Sequence, residues 1–519
     1  MKLHELHIND FKFFSQVEGD SPLLKIDGNH LLVYGENGSG KSTIYWALYT
    51  LLECSFKKSD DEVRKYFKKT GDESLVNIHA TGTNNTYVKT ILKDALGNPK
   101  TYRVSRKSSD MSIRANTDIR ESNMASDFIN YRVLFKLHSS KHSNKNNLWN
   151  WFLEEVFPYV KKSSDPCLIE FEALKEGPTK FLDLNGNQLF PTASLQDAPS
   201  DEEKIFYRNY RDYKQKWVTW HFWLETFLTN ITTRANDLIN HDFKYNFKIG
   251  LNIIKKFPTF QATDDKIKWT DPEIIISITE YEGIQNPAIK KPHTFLNEAK
   301  WSAIGLSLRF AILETRLYTA DLKILVIDDM ILSLDMCNRD VLLDIILNNY
   351  VNDYQIILLT HDRFFYELAK SKIAQNGIAN WKYLEMFEDS SGTFPKPLII
   401  EKTNQISKVW QLYHGKEFSM AANCLRKATE KLCNAYLSRQ ERINVNYSVK
   451  NLHEMLEAFR TKGMANGLNQ NNLIKLIEYK NRILNPSSHY DIETPLFETE
   501  LKRAIETIEA LSIEANINV

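Results

Sequence analysis

Apolar and polar positions follow two rhythms along this chain, and the change from one to the other divides it. Near-unbroken apolar runs, expected of strands buried on both faces, occur at Leu31–Tyr34, Lys323–Ile327 and Gln355–Leu359. Helical spacing takes over at Ser42–Leu48, directly after the first run, and again from near Asn297 to Ile312. Between these lie shorter segments, Val76–Ala80, Tyr87–Leu92 and Tyr102–Ser105, that read as strands. Ala95-Leu96-Gly97-Asn98-Pro99 supplies the turn before the last of them, so an antiparallel β subdomain is expected beside the first helix. A helix around Leu148–Tyr159 and a longer one from about Asp201 to Ile239 follow. The longer one is rich in Trp, Phe and Tyr but has no sustained a/d repeat, so it predicts a short packed arm inserted over about 148–240, not a coiled coil. Strands near Phe243–Ile253 and Glu273–Glu282 lead back, and Trp381–Phe387 and Leu398–Glu401 read as the last edge strands.

Beyond about residue 404 the strand signal ends. Residues 405–519 carry four helical patterns, at about 406–439, 448–462, 470–484 and 494–514. In the first, Ala421, Cys424, Leu425, Ala428, Leu432, Ala435 and Tyr436 share one face, as a bundle helix requires. The expectation is an α/β head over 1–404, built on a mixed sheet, and an all-α bundle over 405–519.

The first strand–helix junction carries chemistry. Gly35-Glu36-Asn37-Gly38-Ser39-Gly40-Lys41-Ser42 fits G-x-x-x-x-G-K-[ST], with Thr43 next along the helix. Its glycines let successive backbone N–H groups point at phosphate oxygens, at the positive end of the helix dipole. Lys41 is then placed for the β- and γ-phosphates of ATP, and the Ser42 hydroxyl for Mg²⁺. The Lys323–Ile327 strand ends in two carboxylates: Asp328 to hold Mg²⁺, and Asp329 to orient or deprotonate the attacking water. Ser333-Leu334-Asp335 follows, then a helix, then a strand ending in Thr360-His361-Asp362.

This order and spacing resembles the RecF/SMC/RecN branch of ABC-type ATPases. The opening Leu3–Phe14 is similar to the branch's first strand and turn, and Lys12 matches its basic residue near the nucleotide. The likeness covers residues 1–50 and 290–365; between them only the architecture agrees. It implies an ABC-type P-loop head with Asp335 in a D-loop, His361 sensing the γ-phosphate, and a homodimer in which each ATP lies between two chains. The family's L-S-G-G-[QE] is replaced here by Leu296-Asn297-Glu298-Ala299-Lys300, which keeps a helix N-terminus at Asn297 for the opposite subunit's phosphate but loses both glycines and the serine. Asp329 stands where most such heads have Glu. Both departures point to slow or conditional hydrolysis.

Charge and cysteine content narrow the setting. Lys+Arg and Asp+Glu both number 66, so no global attraction to nucleic acid exists, and contact would need a local patch. Lys136, His138, Lys141, His142 and Lys145, or Lys57-Lys58 with Lys65-Tyr66-Phe67-Lys68-Lys69, are candidates. Five cysteines without C-x-x-C spacing suggest reduced thiols and no zinc site. With a polar start and no 18-residue apolar stretch, a cytoplasmic protein without a membrane segment is expected. In the tail, Arg482 and His489 resemble the R-x(4–6)-H motif of HEPN domains, helical bundles that often cut RNA. Asn485-Pro486 between them reads equally well as a helix stop, so RNase chemistry and docking both remain open. Arg426 and Glu430 are read as a solvated pair opposite the apolar stripe. A short-armed head with D-D-x-x-x-S-L-D and a helical tail resembles the ATPase subunits of Septu anti-phage systems, which work with a separate HNH nuclease and form rings of dimers. The ATPases of anticodon-nuclease systems, with a HEPN-like tail, and RecF-like repair ATPases are the neighbouring resemblances.

Overall fold

The structure, a computed structural model, describes residues 1–15, 23–81, 85–130, 147–163, 166–176, 201–258, 270–287, 289, 291–316, 319–329, 336–392, 394–401, 405–444, 447–484 and 498–517. It divides into two compact units, Met1–Ile400 and Glu401–Val519.

The first unit is α/β. Its central sheet combines β3 (His30–Gly35), β6 (Asp127–Asn130), β10 (Ile324–Asp328), β11 (Gln355–Thr360), β12 (Trp381–Asp389) and β13 (Lys396–Glu401) in the order β13-β12-β3-β11-β10-β6. The β12–β3, β3–β11, β11–β10 and β10–β6 pairs are parallel. The apolar runs alternate between two cores, as period-two strands covered on both sides must. Leu31, Val33, Ile324, Val326, Ile357 and Leu359 join Ile44 and Leu48 of the Lys41–Glu53 helix in one core. Leu32, Leu325, Ile327, Ile356 and Leu358 face the other, with Phe310, Leu342 and Phe365.

A second, antiparallel sheet orders as β2-β1-β4-β5, from β1 (Lys2–Asn9), β2 (Leu24–Lys25), β4 (Tyr87–Lys93) and β5 (Pro99–Ser105). The third pairs β7 (Phe247–Ile254), β8 (Glu273–Tyr281) and β9 (Ile284–Gln285). The described part of the insertion packs into a core. The Asp201–Asp237 helix sets Trp217, Trp220, Leu224, Leu228, Ile231 and Ala235 into one core with Trp149, Phe152 and Phe157. That core also holds Ile249 and Ile276 of the third sheet and Ile304 and Leu308 of the Glu298–Glu314 helix.

Several expectations are corrected. Val76–Ala80 is not a strand: only Val76 forms a bridge, to Phe11, and the chain then turns. Asn77 is responsible, since its N–H donates to Asp10 O and its side chain to Lys12 O, while Ile78 is left exposed. Trp381–Asp389 is no edge strand but lies between β13 and β3. The helix near 148–159 is regular only over Trp149–Glu155, and the 201–239 helix runs three residues further as a π-turn, Leu238–Asp242.

The second unit is all helical where described: Gln405–His414, Phe418–Tyr436, Leu452–Ala465, Gln470–Tyr479 running into a π-turn Lys480–Leu484, and Glu498–Glu514. The pattern at 406–439 is therefore two helices. Gly415 ends the first and Lys416, at φ +62°, reverses the chain before Phe418. Arg426 does more than form a solvated pair. It bonds Glu430 at 3.0 Å and also donates to Leu484 O at 3.2 Å, tying two helices together.

Candidate nucleotide site

Strand β3 delivers Gly35 to the sheet's C-terminal edge, and the Lys41–Glu53 helix begins six residues later. Three glycines make that turn for separate reasons. A Cβ on Gly35 would lie 2.8 Å from Met386 O of the adjoining β12. Gly38 and Gly40 take φ of +92° and +94°, and a Cβ on Gly40 would meet the Phe13 ring at 2.7 Å. The loop closes with Ser39 N donating to Glu36 O and Thr43 N to Gly40 O. Asn37 lies in the same turn, between Glu36 and Gly38.

Lys41 is buried. Its Nζ donates to Gly35 O at 2.7 Å and Glu36 O at 3.1 Å, and stands 3.8 Å from Asp329 Oδ2. Burial lowers its pKa against the opposing pull of Asp329 and Asp328. An ammonium held this way, at the mouth of the glycine loop, is short of charge compensation and suited to a polyphosphate.

Asp328 and Asp329 emerge side by side from β10 but face different tasks. Asp328 is 6% exposed, and its Oδ1 has no protein partner among the described residues. Burial pushes its carboxyl up to about 6, with a hydrogen bond from Ser42 partly offsetting this. A buried carboxylate oxygen lacking a partner, beside an exposed Ser42 hydroxyl, fits a hard divalent cation such as Mg²⁺ completed by phosphate oxygens. Among the described residues no cluster of three or more His, Cys, Asp or Glu forms an all-protein metal site. Asp329 adopts φ +45°, and its Oδ1 accepts from His361 N at 2.8 Å and lies 2.7 Å from His361 Nδ1. The histidine thus fixes one carboxylate oxygen, and the other faces Lys41.

The raised Asp328 pKa makes a prediction. The folded value lies above the ordinary 3.8, so stability falls as pH rises from about 4 through about 6. The cost of ionising that buried group is about 3 kcal/mol. Asp328→Asn should therefore resist urea better than wild type at pH 8 without ligand, with the gap closing towards pH 4. Equal urea midpoints at pH 8 would contradict the burial argument.

Of the remaining sequence candidates, Lys12 lies beside the loop. Its backbone is left-handed, at φ +49°, and its Nζ sits 5.1 Å over the ring of Trp46 on the Lys41–Glu53 helix. Asn297 stands exposed as N-cap of the Glu298–Glu314 helix, its side chain accepting from Lys300 N at 2.9 Å. Asp335 and His489 lie outside the described residues. Arg482 is 72% exposed and bonds Glu500 at 3.1 Å. One residue was missed: Asn130, which ends β6 opposite Asp328 and donates to the Tyr45 hydroxyl at 3.1 Å. Its only sequence signal, a four-residue strand ending in a polar amide, is too short to identify.

Residues 5–217 match the family model described as an AAA domain. A search of curated proteins returned no match. Solved structures similar to this chain include RecF-ATP of the RecFOR pathway, at 12% identity over 78% of this chain and 98% of that one, with a TM-score of 0.41. An SmcHead bound to the C-winged helix domain of ScpA is similar at 12% identity, covering 78% and 99%, with a TM-score of 0.39. The SMC head domain from Thermotoga maritima is similar at 13%, covering 77% and 100%, with a TM-score of 0.31.

Proposed function

We propose that this chain is an ABC/SMC-type ATPase that serves as the sensor or regulatory subunit of a cytoplasmic anti-phage complex and governs a separate nuclease of the HNH type. The observation that carries the ATPase reading is the convergence of Lys41, Ser42, Asp328, Asp329 and His361 on one edge of the parallel sheet. Lys41 and the loop N–H groups would bind the phosphates, and Ser42 and Asp328 would hold Mg²⁺, which would supply positive charge against the phosphates. Asp329, oriented by His361, positions the attacking water and takes its proton. Being shorter than glutamate, it favours slow or conditional turnover, which suits a regulator.

Two heads pair in this reading, the capped helix at Asn297 completing the partner's site through its N-terminal dipole. The tail docks the nuclease. Arg482, exposed and satisfied by Glu500, supports docking over RNase chemistry of its own. A RecF-like DNA-repair role is the lesser alternative, because equal basic and acidic counts give the chain no overall attraction to DNA.

The test is mass with saturating ATP and Mg²⁺, using Asp329→Asn to hold ATP uncleaved. A dimer or a ring of dimers is expected; a strict monomer overturns the paired-head reading. His489→Ala should leave nuclease recruitment intact, whereas deleting 405–519 should release the partner or break the oligomer. RNA cleavage by the purified chain that disappears with Arg482→Ala or His489→Ala would overturn the docking role.

A further inference from the structure

The residue that follows His361 is gripped by a neighbouring helix. Asp362 caps the Arg363–Gln375 helix, its Oδ1 accepting from Phe364 N at 2.8 Å and Phe365 N at 3.1 Å. Its own N–H donates to Thr360 Oγ1 at 3.1 Å. The second carboxylate oxygen, Oδ2, accepts from Arg339 Nη1 at 2.7 Å. Arg339 belongs to the Met336–Ile345 helix, and its side chain and that of Asp362 are 17% and 26% exposed, which partly shields this charge-assisted bond from solvent. His361 therefore stands between Asp329, which accepts from its N–H and meets its ring, and a residue with both carboxylate oxygens committed.

The same turn of the Met336–Ile345 helix also reaches the Asn297 helix. Asn338 is 2% exposed, and its Nδ2 donates to Ala299 O at 3.3 Å, in the first turn of the Glu298–Glu314 helix that Asn297 caps. Its Oδ1 accepts from the Tyr245 hydroxyl at 3.2 Å. Consecutive helical residues point about 100° apart around the axis, so Asn338 and Arg339 can hold two different neighbours at once. Farther along, Lys372 Nζ bonds Asp344 at 2.6 Å and Asp340 at 3.0 Å. The Arg363–Gln375 helix is thus fastened to the Met336–Ile345 helix at both of its ends.

We propose that Arg339 is a positioning residue for ATP hydrolysis: through Asp362 it sets His361 against Asp329, and through its neighbour Asn338 it ties that setting to the Asn297 helix. The step it serves is attack of water on the γ-phosphorus, the water's proton passing to Asp329 as the bond to ADP breaks. A shift of the Asn297 helix moves Asn338 and Arg339 together, and the bond to Asp362 passes the shift to a turn one residue from His361. A displacement of about 1 Å at a reacting group can cost about a hundredfold in rate, so the link is sufficient to make turnover conditional on the other helix. The proposal rests on the nucleotide reading above and names the regulation of that same site.

The experiment is single-turnover hydrolysis of ATP with the full-length protein in excess, read beside ATP affinity by calorimetry. Arg339→Met should keep affinity within about twofold of wild type and slow hydrolysis at least about fivefold. Asp362→Asn still caps its helix but turns an amide NH₂ towards Arg339, and should show the same split. Because both substitutions break one link, the double variant should be no slower than the slower single variant. Asn338→Leu, which removes the amide at similar volume, should also slow hydrolysis at unchanged affinity. Hydrolysis by Arg339→Met at the wild-type rate overturns the proposal, as does a double variant slowed by the product of the two single effects. A wild-type rate in Asn338→Leu overturns the tie to the Asn297 helix. Hydrolysis that is absent in wild type, or indifferent to Lys41→Ala, fails the nucleotide reading and this proposal with it; hydrolysis that needs Lys41 but not Arg339 fails this proposal alone. Should Arg339→Met fold poorly, Asp362→Asn decides: slowed hydrolysis at unchanged affinity supports the link, and the wild-type rate overturns it.

Discussion

Lys41→Ala should weaken ATP binding by at least about thirtyfold. Removing one partner of a desolvated, hydrogen-bonded charge pair costs about 2–5 kcal/mol, and each 1.4 kcal/mol is about tenfold in affinity. The same substitution should not harm the ligand-free fold. Lys41 is buried with its pKa lowered, so keeping it charged already costs stability, which two backbone oxygens and the Asp329 and Asp328 carboxylates only partly offset. Unchanged or slightly raised stability together with weakened ATP binding is the expected pair of results. ATP binding at wild-type affinity in a calorimetric titration would remove Lys41 from the phosphate site. A collapse of the fold would mean instead that the lysine is structural.

The sequence made the strand–loop–helix from Leu31 to Leu48 legible because its signals are local. An apolar run, three glycines and a helical spacing follow one another, each meaningful within a few residues. The strands ending at Asp328 and Thr360 were legible for the same reason, being buried on both faces along their whole length. What was not legible depends on partners far away in the chain. Val76–Ala80 has strand-like alternation, but Asn77 finds Asp10 and Lys12 and turns the chain. The 406–439 pattern reads as one helix because its apolar face continues in phase across Gly415, although that glycine and a left-handed Lys416 break it. The β6 strand is four residues long, so neither Asn130 at its end nor Asp127 at its start carries a signal of its own. The Asp127–Arg309 pair was wholly hidden, since its two residues are 182 positions apart in sequence.

Asp127→Ala should destabilise the first unit by about 3–5 kcal/mol, the cost of leaving partnered buried charges without their counter-ion. Asp127 is 1% exposed and takes three N–H bonds from Arg309 and Arg316. Burial alone would push its carboxyl up; the Arg309 and Arg316 guanidiniums outweigh that and hold it below its ordinary 3.8. The folded value is depressed, so the stabilisation is fully present above about pH 4 and is lost as pH falls through the folded value. The two arginines answer differently. Against the pull of burial, the two-bond fork from Asp127 raises Arg309, whereas burial lowers Arg316, which has only one N–H on that carboxylate. Removing the carboxylate therefore leaves two buried guanidiniums without it, Glu155 lying 3.7 Å from Arg309. Urea unfolding at pH 7 is the measurement, and a loss within about 1 kcal/mol of wild type would refute the network's role, being the size of an ordinary surface change. Adding Arg309→Met to Asp127→Ala separates charge from packing. If uncompensated charge is the cause, the double variant should recover part of the lost stability, because one of the two unpaired cations is gone. If the double variant is worse than Asp127→Ala alone, the packing of the Arg309 stem stabilises the unit more than its charge does, and the ion pair is only a consequence of that packing.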